Sequence, residues 1–220
     1  MQGALAIAAT WAAFTLAFVV ETPADGVATS DLSDLIIGAI LGAVLVVVGF
    51  AATSRVRPRP LRHRAKVAAL AGFSVLIGIL VGTMVAGELL LFAKLDPKVH
   101  AELARFVGEP AWRPVGRAVN ASVIEEVTMR LAGMGVIAWT AMRWGKTQHA
   151  AFLIALVLTA IVFGLAHLHA ISLVGFLRVA ANAAVGVLYG WMFWKWGLPH
   201  AILAHLAGGL VHGTLVPRLL

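Results

Sequence analysis

Ionisable side chains are sparse in this chain, and the informative ones lie inside long apolar runs: Glu88, Glu125, Glu126, Arg130, His167, His169, Arg178, His205 and His212. Such a group costs roughly 2.5–3.5 kcal/mol at the centre of a bilayer on insertion scales, so a functional role is its default reading. In the run Ile124 to Arg130, Glu126 and Arg130 are four residues apart. That spacing puts them about 40° apart on one helix face, with the carboxylate on the favoured N-terminal side. A bracing ion pair accounts for both. It leaves Glu125, about 140° from Arg130, with no partner in its own helix. An intramembrane carboxylate of that kind is a candidate general base or acid.

Further along, Phe163 and His167 share a face, and Gly164 allows another helix to approach closely. His169 points about 200° away and reads as an interfacial histidine. Later still come His200, His205 and His212, with Gly208 and Gly209 beside His205. The glycine pair is either a packing notch between helices or room for an extended substrate backbone. With 0 cysteines, thiol nucleophiles, thiolate zinc sites and cysteine-held iron–sulfur clusters are excluded. The chemistry left is that of carboxylate and imidazole.

The elements that must position these groups follow from composition. Of 220 residues, 61% are hydrophobic and 12% charged, against roughly 25% charged in an ordinary soluble domain. The expected fold is all-α: a polytopic transmembrane helical bundle of roughly seven spans, the later helices enclosing an intramembrane cavity. The expected spans are Ala4–Val20, Leu35–Thr53, Val67–Ala93, Ala118–Met142, His149–Leu168, Ile171–Trp194 and Leu198–Val216. Asp31, Ser33 and Asp34 are candidate N-caps for the second. Lys94 to Arg117, with Pro97, Pro110 and Pro114, reads as an interfacial helix and loop. The organisation is one membrane domain, with N-terminal spans, basic loop and interfacial segment over 1–117 and a chemistry-bearing core over 118–220.

The net charge of +7 is mainly a topology marker, since six of the 17 Lys and Arg fall between Ser54 and Lys66. No aromatic residue interleaves that loop to stack on bases, so a nucleic-acid partner is not expected. Basic loops face the cytoplasm, which puts the N-terminus and the connections at Arg143–Lys146 and Lys195 inside. Trp139, Trp144, Trp191, Trp194 and Trp196 cluster near those same ends as an interfacial belt. The expected location is a multi-pass position in a bacterial inner or plasma membrane.

Glu125-Glu126-x-x-x-Arg130, Phe163-x-x-x-His167 and His205, in that order and each inside an apolar span, resemble the motifs of the CAAX-protease and bacteriocin-processing (CPBP) family. This family of intramembrane glutamic-type endopeptidases is also called the CAAX amino-terminal protease or ABI family. The resemblance runs from Ala118 to the C-terminus. It implies hydrolysis of a peptide bond in a membrane-associated protein or peptide. Glu125 would be the general base and Glu126 with Arg130 the supporting pair. His167 would position water or the oxyanion, and His205 would be an oxyanion or ligand group. A metal-free reaction without cofactor is expected, with zinc held by Glu125, His167 and His205 as the alternative. The family's last motif is usually His-x-x-x-Asn or His-x-x-x-Asp, and here Gly209 stands at its end. Asn182 or His212 are the candidates to supply the missing polar group.

Two other functions compete. A catalytically impaired protein of the same fold, acting in binding, immunity or assembly, would suit Gly209. A haem-bearing redox protein would use paired histidines, but it has no use for adjacent glutamates.

Overall fold

The computed structural model describes residues 29–56, 64–168 and 170–220, and side-chain surroundings within 40–56, 68–168 and 170–220. The expected first span, most of the basic loop and His169 lie outside the described residues. Among the described residues every regular element is helical: α1 (Thr29–Val56), α2 (Arg64–Leu95), α3 (Pro97–Ala104), α4 (Trp112–Glu126), a π-helical stretch (Val127–Met134), α5 (Gly135–Arg143), α6 (Gln148–Ala166), α7 (Leu173–Trp196) and α8 (Leu198–Leu219).

Three of these helices, at Ala68–Leu95, Gln148–Ala166 and Leu173–Trp196, are long and apolar enough to cross a membrane, and Ile40–Val56 is a shorter apolar helix. Their outer faces fit a lipid solvent: Leu153, Val157, Leu158, Ile161, Val162 and Leu165 of α6 all point outward and exposed. The inner faces build a core in which Val46, Val127, Leu131, Met134, Phe152 and Phe193 are buried together.

Boundaries shift from expectation where local chemistry decides them. Among the described residues α1 is helical from Thr29 onward, so Asp31, Ser33 and Asp34 lie within it instead of capping it. The fourth span starts at Trp112 instead of Ala118, because Pro114 falls in the first turn, where its missing N–H costs nothing. The interfacial segment holds α3, capped by Asp96, which accepts from Lys98 N at 2.9 Å, with Pro97 following the cap. Gly197 takes φ 110° between α7 and α8, a left-handed turn that places the two helices back to back.

One end of the bundle gathers the C-termini of α1, α5 and α7 with the N-termini of α2, α6 and α8. Gln148 Nε2 donates to Val56 O at 2.5 Å across that end, and Phe73 of α2 meets the Trp196 ring edge-on at 5.8 Å. Here the expected tryptophan belt needs a correction. Trp144 is exposed, and Trp139 and Trp191 are partly so, but Trp194 is buried and stacked on Phe152 at 4.6 Å. An indole this apolar is drawn into a helix interface when a partner ring faces it.

The path through α4 and α5 is not a plain α-helix. A π-helical turn is rare, its carbonyls accepting from the fifth residue on instead of the fourth. Gly135 N–H bonds to Ala132 O, so Leu131 O loses its α-helical partner. Thr53 of α1 donates its hydroxyl to Leu131 O instead, at 3.1 Å in a buried setting.

Candidate active site

Four helices supply the site. Glu125 and Glu126 end α4, and Arg130 sits on the π-helical stretch that follows. Phe163 and His167 come from the last turn of α6 and its cap, Asn182 and Tyr189 from α7, and His205 and His212 from α8.

The expected pair is formed: Arg130 Nε lies 3.2 Å from Glu126 Oε2, with both side chains essentially excluded from solvent. Arg130 also reaches Gly186 O at 3.4 Å and lies 4.7 Å over the Phe163 ring. Removing one partner of so deeply buried an ion pair costs about 3–5 kcal/mol, so this group is the frame of the site. Phe163, named only as a motif residue, turns out to be the surface on which the guanidinium rests, and its ring also contacts His167 at 4.9 Å.

Glu125 is placed differently. Its carboxylate is about one third exposed, and Oε2 stands 3.8 Å from His205 Nε2. On the other side of that imidazole, Nδ1 donates to Glu126 Oε1 at 2.9 Å. A carboxylate only accepts, so this bond fixes the tautomer: Nδ1 carries the proton and Nε2 faces Glu125. The same reasoning applies to His167, whose Nδ1 donates to Phe163 O at 2.8 Å, and to His212, whose Nδ1 donates to Gly208 O at 3.0 Å.

These groups open onto one cleft. Its inner chamber, about 170 Å³, is lined by Glu88, Glu125, Phe163, His167, Arg178, Asn182, Tyr189, His205 and His212. An adjoining outer chamber of about 260 Å³ shares Arg178, His205 and His212 and is walled by Glu102, Phe106 and Arg117. The cleft therefore lies toward α3 and the C-terminus of α8, away from the end that carries Val56 and Lys195. Arg178 pairs with Glu102 at 3.7 Å, and Arg117 with Glu109 at 2.6 Å.

Glu125, His167, His205, Asn182 and His212 are thus brought to one chamber, with Glu126, Arg130 and Phe163 behind it. Helix rise alone leaves His167 nearer one membrane face than the other two groups; the chamber spans that difference. Tyr189 was missed. It is the single tyrosine of the chain, and its ring stacks on His205 at 5.2 Å. The signal was present: Arg178, Asn182 and Tyr189 recur at i, i+4 and i+11, one polar stripe on an apolar helix.

The glycine pair packs closely against neighbouring helices and also lines the cleft. A side chain at Gly209 would begin 3.1 Å from Ala118 Cβ, and one at Gly208 would begin 3.1 Å from Gly78 O. The position that usually carries Asn or Asp is therefore where α8 touches α4. Among the described residues no three His, Asp or Glu side chains converge closely enough to hold a metal ion. Glu125, His167 and His205 line the same chamber.

The site is a cluster of carboxylates and imidazoles enclosed by apolar helices, three of them long enough to cross a membrane. Residues 108–211 match the family model described as type II CAAX prenyl endopeptidase Rce1-like. Over that stretch the chain is similar to the CAAX-protease family, as the order of motifs implied, and the likeness together with its apolar helices marks an integral membrane protein. No curated protein and no solved structure matches the chain.

Proposed function

We propose that this protein is an intramembrane endopeptidase of the glutamic type, in which Glu125 is the general base that activates water against a peptide bond of a membrane-associated substrate. One observation carries the reading: Glu125 Oε2 is buried and receives no hydrogen bond from the described protein groups, while His205 Nε2 faces it at 3.8 Å. Both are acceptors. A water molecule donating one O–H to each is held with its lone pair turned into the cleft.

The reaction balances with these residues. Glu125 takes a proton as the water oxygen bonds to the carbonyl carbon, and the carbonyl electron pair moves to oxygen. Collapse of the tetrahedral species breaks the C–N bond, and the Glu125 carboxyl returns its proton to the leaving amine. Glu126, locked to Arg130, orients His205 through Nδ1. His167 Nε2, on the same chamber, positions water or substrate.

The developing oxyanion needs a donor. The three histidines spend Nδ1–H on fixed acceptors, so their free ring nitrogens present lone pairs when neutral. Asn182 differs. Its amide donates one hydrogen to Arg178 O at 2.9 Å and keeps a second. We assign it the donor role that Gly209 does not fill, ahead of His212. No cofactor is required by this scheme. A multi-pass arrangement with the basic loop inside and substrate entering from the bilayer completes the proposal. Purified protein in liposomes with a panel of prenylated and unmodified membrane peptides tests it: wild type cleaves and Glu125→Gln does not. Equal cleavage by both would end the assignment.

A further inference from the structure

We propose that Thr53, on a helix outside the matched stretch, is a positioning residue for the catalytic centre, acting through the π-helical turn that presents Arg130. The proposal rests on the reading of Glu125 and His205 as the reacting pair, and it concerns what holds that pair in register.

Four observations converge on one contact. Thr53 Oγ1 donates to Leu131 O at 3.1 Å, and Thr53 is buried, so water does not stand in for it. Gly135 N–H, the α-helical donor for Leu131 O, is turned to Ala132 O. A side chain at Gly49, one turn before Thr53 on α1, would begin 2.7 Å from Ala132 N and from Leu131 O. A side chain at Gly135 would begin 2.5 Å from Thr53 Oγ1. Backbone meets backbone here with one hydroxyl between, and the hydroxyl pairs with a carbonyl whose α-helical donor is turned elsewhere.

The consequence travels by short contacts. Leu131 is the residue after Arg130, so the wide turn fixes where the guanidinium emerges. The guanidinium fixes Glu126 at 3.2 Å. Glu126 holds His205 Nδ1 at 2.9 Å, and the opposite edge of that ring faces Glu125. Without the Thr53 bond, Leu131 O loses its side-chain donor, and the turn is drawn toward ordinary α-helical pairing, which rotates Arg130 relative to α4. The expected loss is in the arrangement of the reacting groups, not in substrate affinity.

The test uses the full chain in nanodiscs and three proteins: wild type, Thr53→Val, which keeps shape and removes the donor, and Thr53→Ser, which keeps the donor. The first readout is the low-field proton resonance of His205 Nδ1–H, identified by its loss in His205→Gln. We expect it to move in Thr53→Val and to hold its position in Thr53→Ser. The second readout is cleavage, with kcat about tenfold lower in Thr53→Val at unchanged KM and regained in Thr53→Ser. An unmoved resonance in Thr53→Val overturns the proposal, as does a loss confined to KM. If wild type cleaves nothing, the assignment of Glu125 fails while the resonance still decides the role of Thr53. Should Thr53→Val not accumulate as folded protein, Thr53→Cys, a far weaker donor, takes its place in both readouts.

Discussion

Helix α8 carries two histidines five residues apart whose surroundings share almost nothing. His200 is buried at the closed end of the bundle, where Ser74 Oγ lies 3.3 Å from Nδ1 and Trp196 presents a ring at 6.3 Å. His205 lies between two carboxylates, with one ring nitrogen committed to Glu126 and the other turned to Glu125 and the cleft. Same residue, same helix: the difference is that His205 has a carboxylate at each edge and opens onto the cleft, which equips it for chemistry, whereas His200 is enclosed by protein. A buried histidine is informative in proportion to what its second nitrogen faces.

The comparison can be broken or sharpened by substitution. The largest effect belongs to Glu125→Gln, which keeps shape and removes the base. Cleavage in liposomes should fall by about 10²–10⁴ with thermal stability within about 1 kcal/mol of wild type. Next is Asn182→Ala, for which kcat should fall by about 10²–10³ if its spare amide hydrogen meets the oxyanion; wild-type kcat would instead hand that role to Arg178 or to the Tyr189 hydroxyl. Gly209→Asn, which writes in the family's usual residue, should not raise activity. Its Cβ would start 3.1 Å from Ala118 Cβ, so α4 has to give way, and the expected outcome is a loss of about 1–3 kcal/mol from overpacking, read as a lower unfolding midpoint in detergent. The smallest catalytic effect is expected from His200→Gln, with kcat within about threefold of wild type and a stability loss of about 1 kcal/mol from the altered Ser74 contact. A large kcat loss there would erase the distinction between the two histidines.

What could be read from sequence divides along the same line. Contacts within one helix were legible: Glu126 with Arg130, and Phe163 with His167, follow from a spacing of four. Helix positions among the described residues were legible because long apolar runs mark them, although Pro114 displaced one start by a full turn and more. The meeting of Glu125 with His205 depends on how α4 and α8 cross, which residue spacing does not encode; it was expected from the order of motifs. Trp194 read as a belt residue because an apolar run looks alike whether it faces lipid or Phe152. The π-turn left no trace that periodicity detects, since Val127 to Met134 has the composition of any membrane helix. Only its neighbours, Gly49 and Gly135, hinted at close approach, and one chain offers many glycines.

The glycine seam between α2 and α8 has a consequence for mutational tolerance. Side chains at Gly78 and Gly82 would run into Ala204 O and Gly208 O, so the backbone of α2 itself lies against the helix that holds His205. A flexible neighbour yields to an added methyl, but a carbonyl in a helix does not. Alanine, the substitution that scanning experiments treat as neutral ground, is therefore the disruptive one at these two positions. A survey that counts only lost polar groups would place the sensitivity of this protein in its second half, whereas part of it resides in two residues of α2 that have nothing to remove.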